Sequence, residues 1–214
     1  MSFVYWLSEK GFEMKKLIYV FALVLLITKV AQADSPDLNR FNFNRNQINR
    51  YAMLSLGSWA IGNMMVNGAL YRSGEKDRRY FYQMNIAWNA VNLVIAGFGL
   101  YDAMNPNTAL SLFESVKQQA NIEKILLFNA GLDVGYIMTG FYLKERAKNS
   151  LKHHDRLKGY GNSLMLQGGF LFLFDLTVYF IQAGNHALMK KLLDHVMIAP
   201  KAIGIALNFG SSKN

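Results

Sequence analysis

No cysteine occurs in the 214-residue chain, and that absence excludes disulfide frameworks, thiolate nucleophiles, cysteine-bound zinc, iron–sulfur clusters and a lipoprotein anchor. Proline is scarce, three in all, so little interrupts long helices. Charge is thin as well. Only 17% of residues are charged against 52% hydrophobic, a balance foreign to a disordered chain and unlike an average water-soluble domain. Acids are the rarer sign, 14 against 23 Lys and Arg, for a net charge of +9. That surplus would suit nucleic acid if it formed a basic stripe interleaved with aromatics. Instead the basic residues cluster between apolar runs and the aromatics lie inside the runs, so no nucleic-acid partner is expected. Phosphate-binding, zinc-protease and nucleophile-elbow motifs are also missing. His153, His154, His186 and His195 fall outside the apolar runs, so a haem held between helices by paired imidazoles is not expected; "KHHDR" reads as a solvated basic loop, with weak metal binding as the lesser alternative, and no metal or other cofactor is expected.

What remains is organised around hydrophobic length. From Met14, "MKKLIYVFALVLLITKVAQA" has two lysines, an apolar run from Leu17 to Thr28 and Ala31-Gln32-Ala33, the small-x-small pattern cut by signal peptidase. Residues 1–33 are expected to be a signal peptide whose true start is Met14, with an uncleaved first span as the alternative. Residues 34–50, polar and Asn-rich, read as an exposed external lead-in. Four apolar segments follow, at 51–71, 81–101, 124–143 and 162–184, each near the ~20 residues that cross a bilayer as a helix. The fold expected is an all-α four-helix transmembrane bundle over residues 51–185. In the remainder, 186–214, Leu188, Leu192 and Val196 share a face opposite Lys190, Lys191 and Asp194, the pattern of a short interfacial amphipathic helix before a tail.

The short connections orient the bundle. Arg72, Lys76, Arg78 and Arg79 crowd the first, and Lys144, Arg146, Lys148, Lys152, Arg156 and Lys158 the third; the second, 102–123, has Lys117 alone. By the positive-inside rule the first and third are cytoplasmic. A secretory signal and four spans then place both mature termini in the periplasm, as in a bacterial inner-membrane protein.

Two segments carry an acid near their centres, Asp133 and Asp175. A carboxylate facing lipid costs about 2.5–3.5 kcal/mol on insertion scales, so both are expected to turn inward. Counting from the span centres at 1.5 Å per residue puts Asn63, Asn92, Asp133 and Asp175 within roughly 5 Å of the midplane. Asn85, Asn89 and Asn92 follow at i, i+4 and i+7, one helical face; Asn129 shares the side of Asp133, and Gln167 joins the fourth segment. The expected polar centre is therefore Asn63, Asn85, Asn89, Asn92, Asn129, Asp133, Gln167 and Asp175, serving a ligand, a proton or helix association. Ser58 with Gly62, and Gly131 with Gly135, have the small-xxx-small spacing that lets helices approach.

"YFYQMNIAWNAVNL", "FNAGLDVGYIMTG" and "GYGNSLMLQGGFLFLFDL" resemble recurrent segments of a family of small bacterial membrane proteins known as a domain of unknown function. The likeness covers about residues 45–185, and because that family has no assigned activity it implies no chemistry. The leading expectation is a non-enzymatic membrane protein that binds a partner or small polar ligand, or stabilises an assembly, through its centre; a homo-oligomer or a membrane partner would suit it. The alternative is a proton- or ion-coupled transporter using Asp133 and Asp175. An intramembrane enzyme stands third, because two acids can do acid–base work but no nucleophile accompanies them.

Overall fold

The structure is a computed structural model and describes residues 36–73, 76–107 and 109–194. The expected signal peptide and the tail from 195 onward lie outside the described residues. The chain forms α1 (Pro36–Ser73), α2 (Lys76–Met104), α3 (Leu112–Lys148) and α4 (His154–Ala183), and no strand occurs among the described residues.

Local chemistry sets the helix ends. α1 opens on Pro36, whose fixed φ and missing N–H suit a first helical position, with Asp37 in the first turn facing the positive end of the helix dipole. α2 stops at Met104 because Asn105 precedes Pro106, and a residue before proline is driven out of the helical region. α3 restarts with a capping box: Ser111 Oγ accepts from the Glu114 N–H at 3.3 Å, and Glu114 Oε2 accepts from the Ser111 N–H at 2.9 Å. α4 ends at Gly184, after which residues 186–194 are again helical.

These helices outrun the segments read from hydrophobicity. α1 has 38 residues and α3 has 37, about 55 Å at 1.5 Å per residue, against a hydrocarbon layer of about 30 Å. Residues 36–50 are thus the first turns of α1, with Phe41 and Arg45 buried. This corrects the exposed lead-in: capping and packing continue the helix where apolar composition stops. Likewise most of the 102–123 connection is the start of α3, and the turn shrinks to the stretch between Met104 and Leu112.

α1 packs along α2, and α3 along α4, as two antiparallel hairpins; α2 also lies against α4, whereas α2 and α3 barely touch. The diagonals close at opposite ends. Methyl groups on Gly159 and Gly161 would stand 2.8 Å from the Phe81 N–H nitrogen and 2.7 Å from Gly140 O, so these glycines bring α4 against α2 and α3 at the basic-turn end. At the other end Arg45 of α1 reaches Ser115 of α3. Ser58, Gly62, Gly131 and Gly135, expected to pack helices, do not pack against the other helices of this chain: all four are exposed, and no neighbouring atom lies within 4 Å of a methyl built on any of the three glycines. Spacing alone misses this because the buried stripes run along other faces.

The distribution of polarity is inverted relative to a water-soluble bundle. Asn85, Asn89, Gln119, Gln167 and Gln182 are fully enclosed, while Phe98, Phe128, Met138, Leu173 and Phe180 point outward with 61–72% exposure. Apolar exteriors this extensive mark a surface made for an apolar surrounding. α2 from Arg78, α3, and α4 with its continuation to Asp194 are long and apolar enough to cross a membrane. α1 falls short of them, diluted by Ser55, Ser58, Asn63 and Asn67.

Candidate functional site

The bundle interior is layered. At the end bearing the 105–111 turn, Gln119 Nε2 donates to Glu123 Oε1 at 2.7 Å and to Gln182 O at 3.0 Å, and Gln182 Nε2 donates to Asn49 Oδ1 at 2.7 Å. His186 Nε2 and Glu123 Oε1 close that cluster at 2.6 Å. Next comes an apolar layer of Ala52, Leu126 and Val178, flanked by Ile48, Ile122 and Phe174.

Beneath it lies a cavity of about 200 Å³ lined by Asn92, Asn129, Asp133, Asp175 and the rings of Trp88, Tyr136 and Phe174. Asp133 and Asp175 are 3% and 6% exposed, and their carboxyls lie within hydrogen-bonding reach of each other. Helix direction explains the meeting. The Asp133 carbonyl is 2.9 Å from a methyl built on Gly168, so the Asp133 backbone sits well along the helix axis from Asp175. Side chains lean toward the N-terminus of their own helix, and in antiparallel α3 and α4 the two carboxyls therefore lean toward each other. Two ionised carboxylates only accept hydrogen bonds, so a hydrogen bond between these two would require a proton on one of them. Asp133 Oδ2, Asn92 Nδ2 and Trp88 Nε1 are buried and find no hydrogen-bond partner in the protein.

A further amide layer follows. Gln167 Nε2 donates to Asn85 Oδ1 at 2.7 Å, Asn85 Nδ2 to Asn67 Oδ1 at 3.4 Å, and Trp59 Nε1 to Gln167 Oε1 at 3.3 Å. This relay joins α1, α2 and α4. Trp59 is fixed by a parallel stack on Phe170, centroids 3.7 Å apart. Asn89 donates to its own helix, to Asn85 O at 2.8 Å, and leaves Oδ1 without a partner.

The expected residues thus separate into two groups. Asn92, Asn129, Asp133 and Asp175 share the cavity; Asn85 and Gln167 belong to the amide relay. Asn63 belongs to neither. It is half-buried and donates to Trp59 O on its own helix at 3.0 Å, and α1 contributes Leu56 to the cavity instead. Depth counted from a span centre fails for α1 because that helix extends beyond its apolar segment at the Pro36 end. Sequence reasoning passed over Trp59, Arg45 and Gln119, and it placed Trp88 away from the polar face of α2, whereas Trp88 lines the cavity with its indole N–H buried. The tryptophans read as apolar, yet each brings an indole N–H to the interior; Gln119 stood in a stretch taken for a loop.

A family model described as a family of unknown function, DUF6992, matches residues 55–176, more than half of the chain. The chain belongs to the DUF6992 family. No curated protein and no solved structure matches it. The segment shared with DUF6992 includes the cavity, the amide relay and both acids, and stops short of Arg45 on one side and Gln182 on the other.

Proposed function

We propose that this DUF6992 member is a non-enzymatic integral membrane protein whose four helices span a bacterial inner membrane with both mature termini periplasmic, and that it binds a small polar ligand in the cavity between α2, α3 and α4. One observation carries the reading: two facing carboxyls converge on the cavity that also receives the unpartnered Asp133 Oδ2, Asn92 Nδ2 and Trp88 Nε1. A buried polar atom without a partner is expensive, and a guest bearing both donors and acceptors relieves that cost. A pair sharing one proton carries one negative charge, and the aromatic walls of Trp88, Tyr136 and Phe174 favour a cation. A monovalent organic ammonium that also carries a hydroxyl oxygen matches these features, the ammonium N–H for Asp133 Oδ2 and the oxygen as acceptor for Asn92 Nδ2 and Trp88 Nε1.

Native mass spectrometry and thermal shift with a series of hydroxyalkylammonium ions, and with the matching alkylammonium ions as controls, test the proposal. The wild type is expected to retain or bind such an ion, and Asp133→Asn with Asp175→Asn together to lose it while remaining folded. Absence of any bound species and of any thermal shift in the wild type would overturn it. Proton-coupled transport is the second reading, favoured by the proton needed between the two acids. The Ala52, Leu126 and Val178 layer stands across the axial route to the Gln119 end, which favours binding over an open channel; a pH-driven flux in vesicles, abolished by either asparagine variant, would reverse that preference.

A further inference from the structure

At the far end from the basic turns, Arg45 presents a different problem. It is 5% exposed, its Nη1 donates to Ser115 O at 2.8 Å and its Nη2 to Gln118 Oε1 at 2.9 Å, and its guanidinium lies 5.8 Å from the Phe41 ring centroid. Every one of these partners is neutral. Burial pushes its pKa down from the ordinary value, and no carboxylate among the described residues forms an ion pair with it. A buried cation held only by dipoles leaves a large desolvation penalty unanswered, and guanidinium has five N–H donors, more than the two bonds use.

The surroundings show what would answer it. Arg45 lines a groove of about 1190 Å³ with Arg40, Asn42, Asn46, Asn121 and Asp102. Asn42 Oδ1 is buried there without a hydrogen-bond partner. The groove thus offers cationic forks for an anion, amides, and two acceptors, Asn42 Oδ1 and the Asp102 carboxylate, for hydroxyl donors. Phe43 and Ile125 also line it and are 62% and 58% exposed, forming an apolar lip where the apolar segment of α3 begins.

We infer that this groove binds a phosphate ester of a polyol, the phosphate at Arg45 and the hydroxyls at Asn42 and Asp102. Arginine forks pair with phosphate through two parallel hydrogen bonds. The same chemistry occurs in the headgroup of an anionic glycerol phospholipid and in a free polyol phosphate; the lip favours the lipid, because acyl chains leaving the groove would run over Phe43 and Ile125. The inference stands apart from the ammonium cavity, from which the Ala52, Leu126 and Val178 layer separates it.

The test uses the full chain in nanodiscs of phosphatidylcholine with or without phosphatidylglycerol, read by native mass spectrometry of co-retained lipid, and calorimetric titration of the same protein with glycerol phosphate. The wild type is expected to prefer phosphatidylglycerol by about tenfold or more, the worth of one charge-assisted bond pair. Arg45→Gln should abolish the preference and Arg45→Lys keep part of it. Asn42→Leu keeps the guanidinium in place and should weaken binding severalfold, which decides the matter should Arg45→Gln not fold. Binding of free glycerol phosphate without lipid preference assigns the site to a soluble ester, and lipid preference alone assigns it to the membrane. Neither response in the wild type, or a preference unchanged in Arg45→Gln and in Asn42→Leu, overturns the inference.

Discussion

Asp133 and Asp175 are the two acids of the interior, both buried and both lining the cavity. A proton shared by the pair, as the proposed function has it, predicts that the wild type at neutral pH shows the infrared band of a protonated carboxyl, and that replacing either acid by asparagine removes it. Retention of the band in both single variants would place the proton elsewhere. Asn85 is the residue on which the amide relay turns, accepting from Gln167 and donating to Asn67. Asn85→Leu should therefore cost about 0.6–2 kcal/mol for each interhelical bond lost, measured by reversible detergent denaturation. The burial of Asn85, Asn89 and Asn92 was legible in their i, i+4, i+7 spacing, because side-chain direction follows directly from the helical repeat. Arg45 was not: it precedes the apolar segment of α1, in a stretch read as an exposed lead-in, where no hydrophobic run marks which face is buried.

Among elements, α3 and α4 form the tightest pair, and glycine is the reason. A methyl on Gly140 would stand 2.6 Å from Gly161 O and one on Gly168 2.9 Å from Asp133 O, in both cases against backbone that cannot rotate away. Gly140→Ala and Gly168→Ala are each expected to destabilise the fold by about 1–3 kcal/mol, and Gly131→Ala and Gly135→Ala to stay within about 0.5 kcal/mol, all by the same denaturation. Equal losses at both pairs would mean that the outer glycines pack as well. The N-terminus of α3 responds to pH. Hydrogen bonds from the Ser111 backbone N–H and hydroxyl hold the Glu114 carboxyl below the usual range. A depressed folded value means that the stabilisation is present above the unfolded pKa and is lost as pH falls through the folded one. Amide protection at Leu112–Ser115 should drop on acidification, and Glu114→Gln should remove that pH dependence. Helix number and order were readable from hydrophobic length; helix ends were not, since they depend on caps and on packing beyond the apolar stretch.

For the whole molecule, the proposed four-span topology puts the 105–111 turn and the 149–153 turn on opposite faces of a membrane. The absence of cysteine makes the check direct: Asn107→Cys and Leu151→Cys, both at exposed turn positions, should react with a membrane-impermeant maleimide from opposite faces, the first in intact cells and the second only after permeabilisation. Labelling of both from one face would undo the four-span topology. The joint between α2 and α3 has a last consequence. Backbone packing there is minimal, and the rings of Trp88 and Tyr136, 4.7 Å apart at 79°, are the principal bridge. The two hairpins meet along α2 and α4 and are tied again at the far end by the Arg45–Ser115 and Gln182–Asn49 bonds, so this ring contact is one of several links between them, the one that lies against the cavity. On the proposed ligand-binding reading, a guest that enters between α2 and α3 meets this ring pair at the cavity wall, and the fluorescence of Trp88 should change on its arrival.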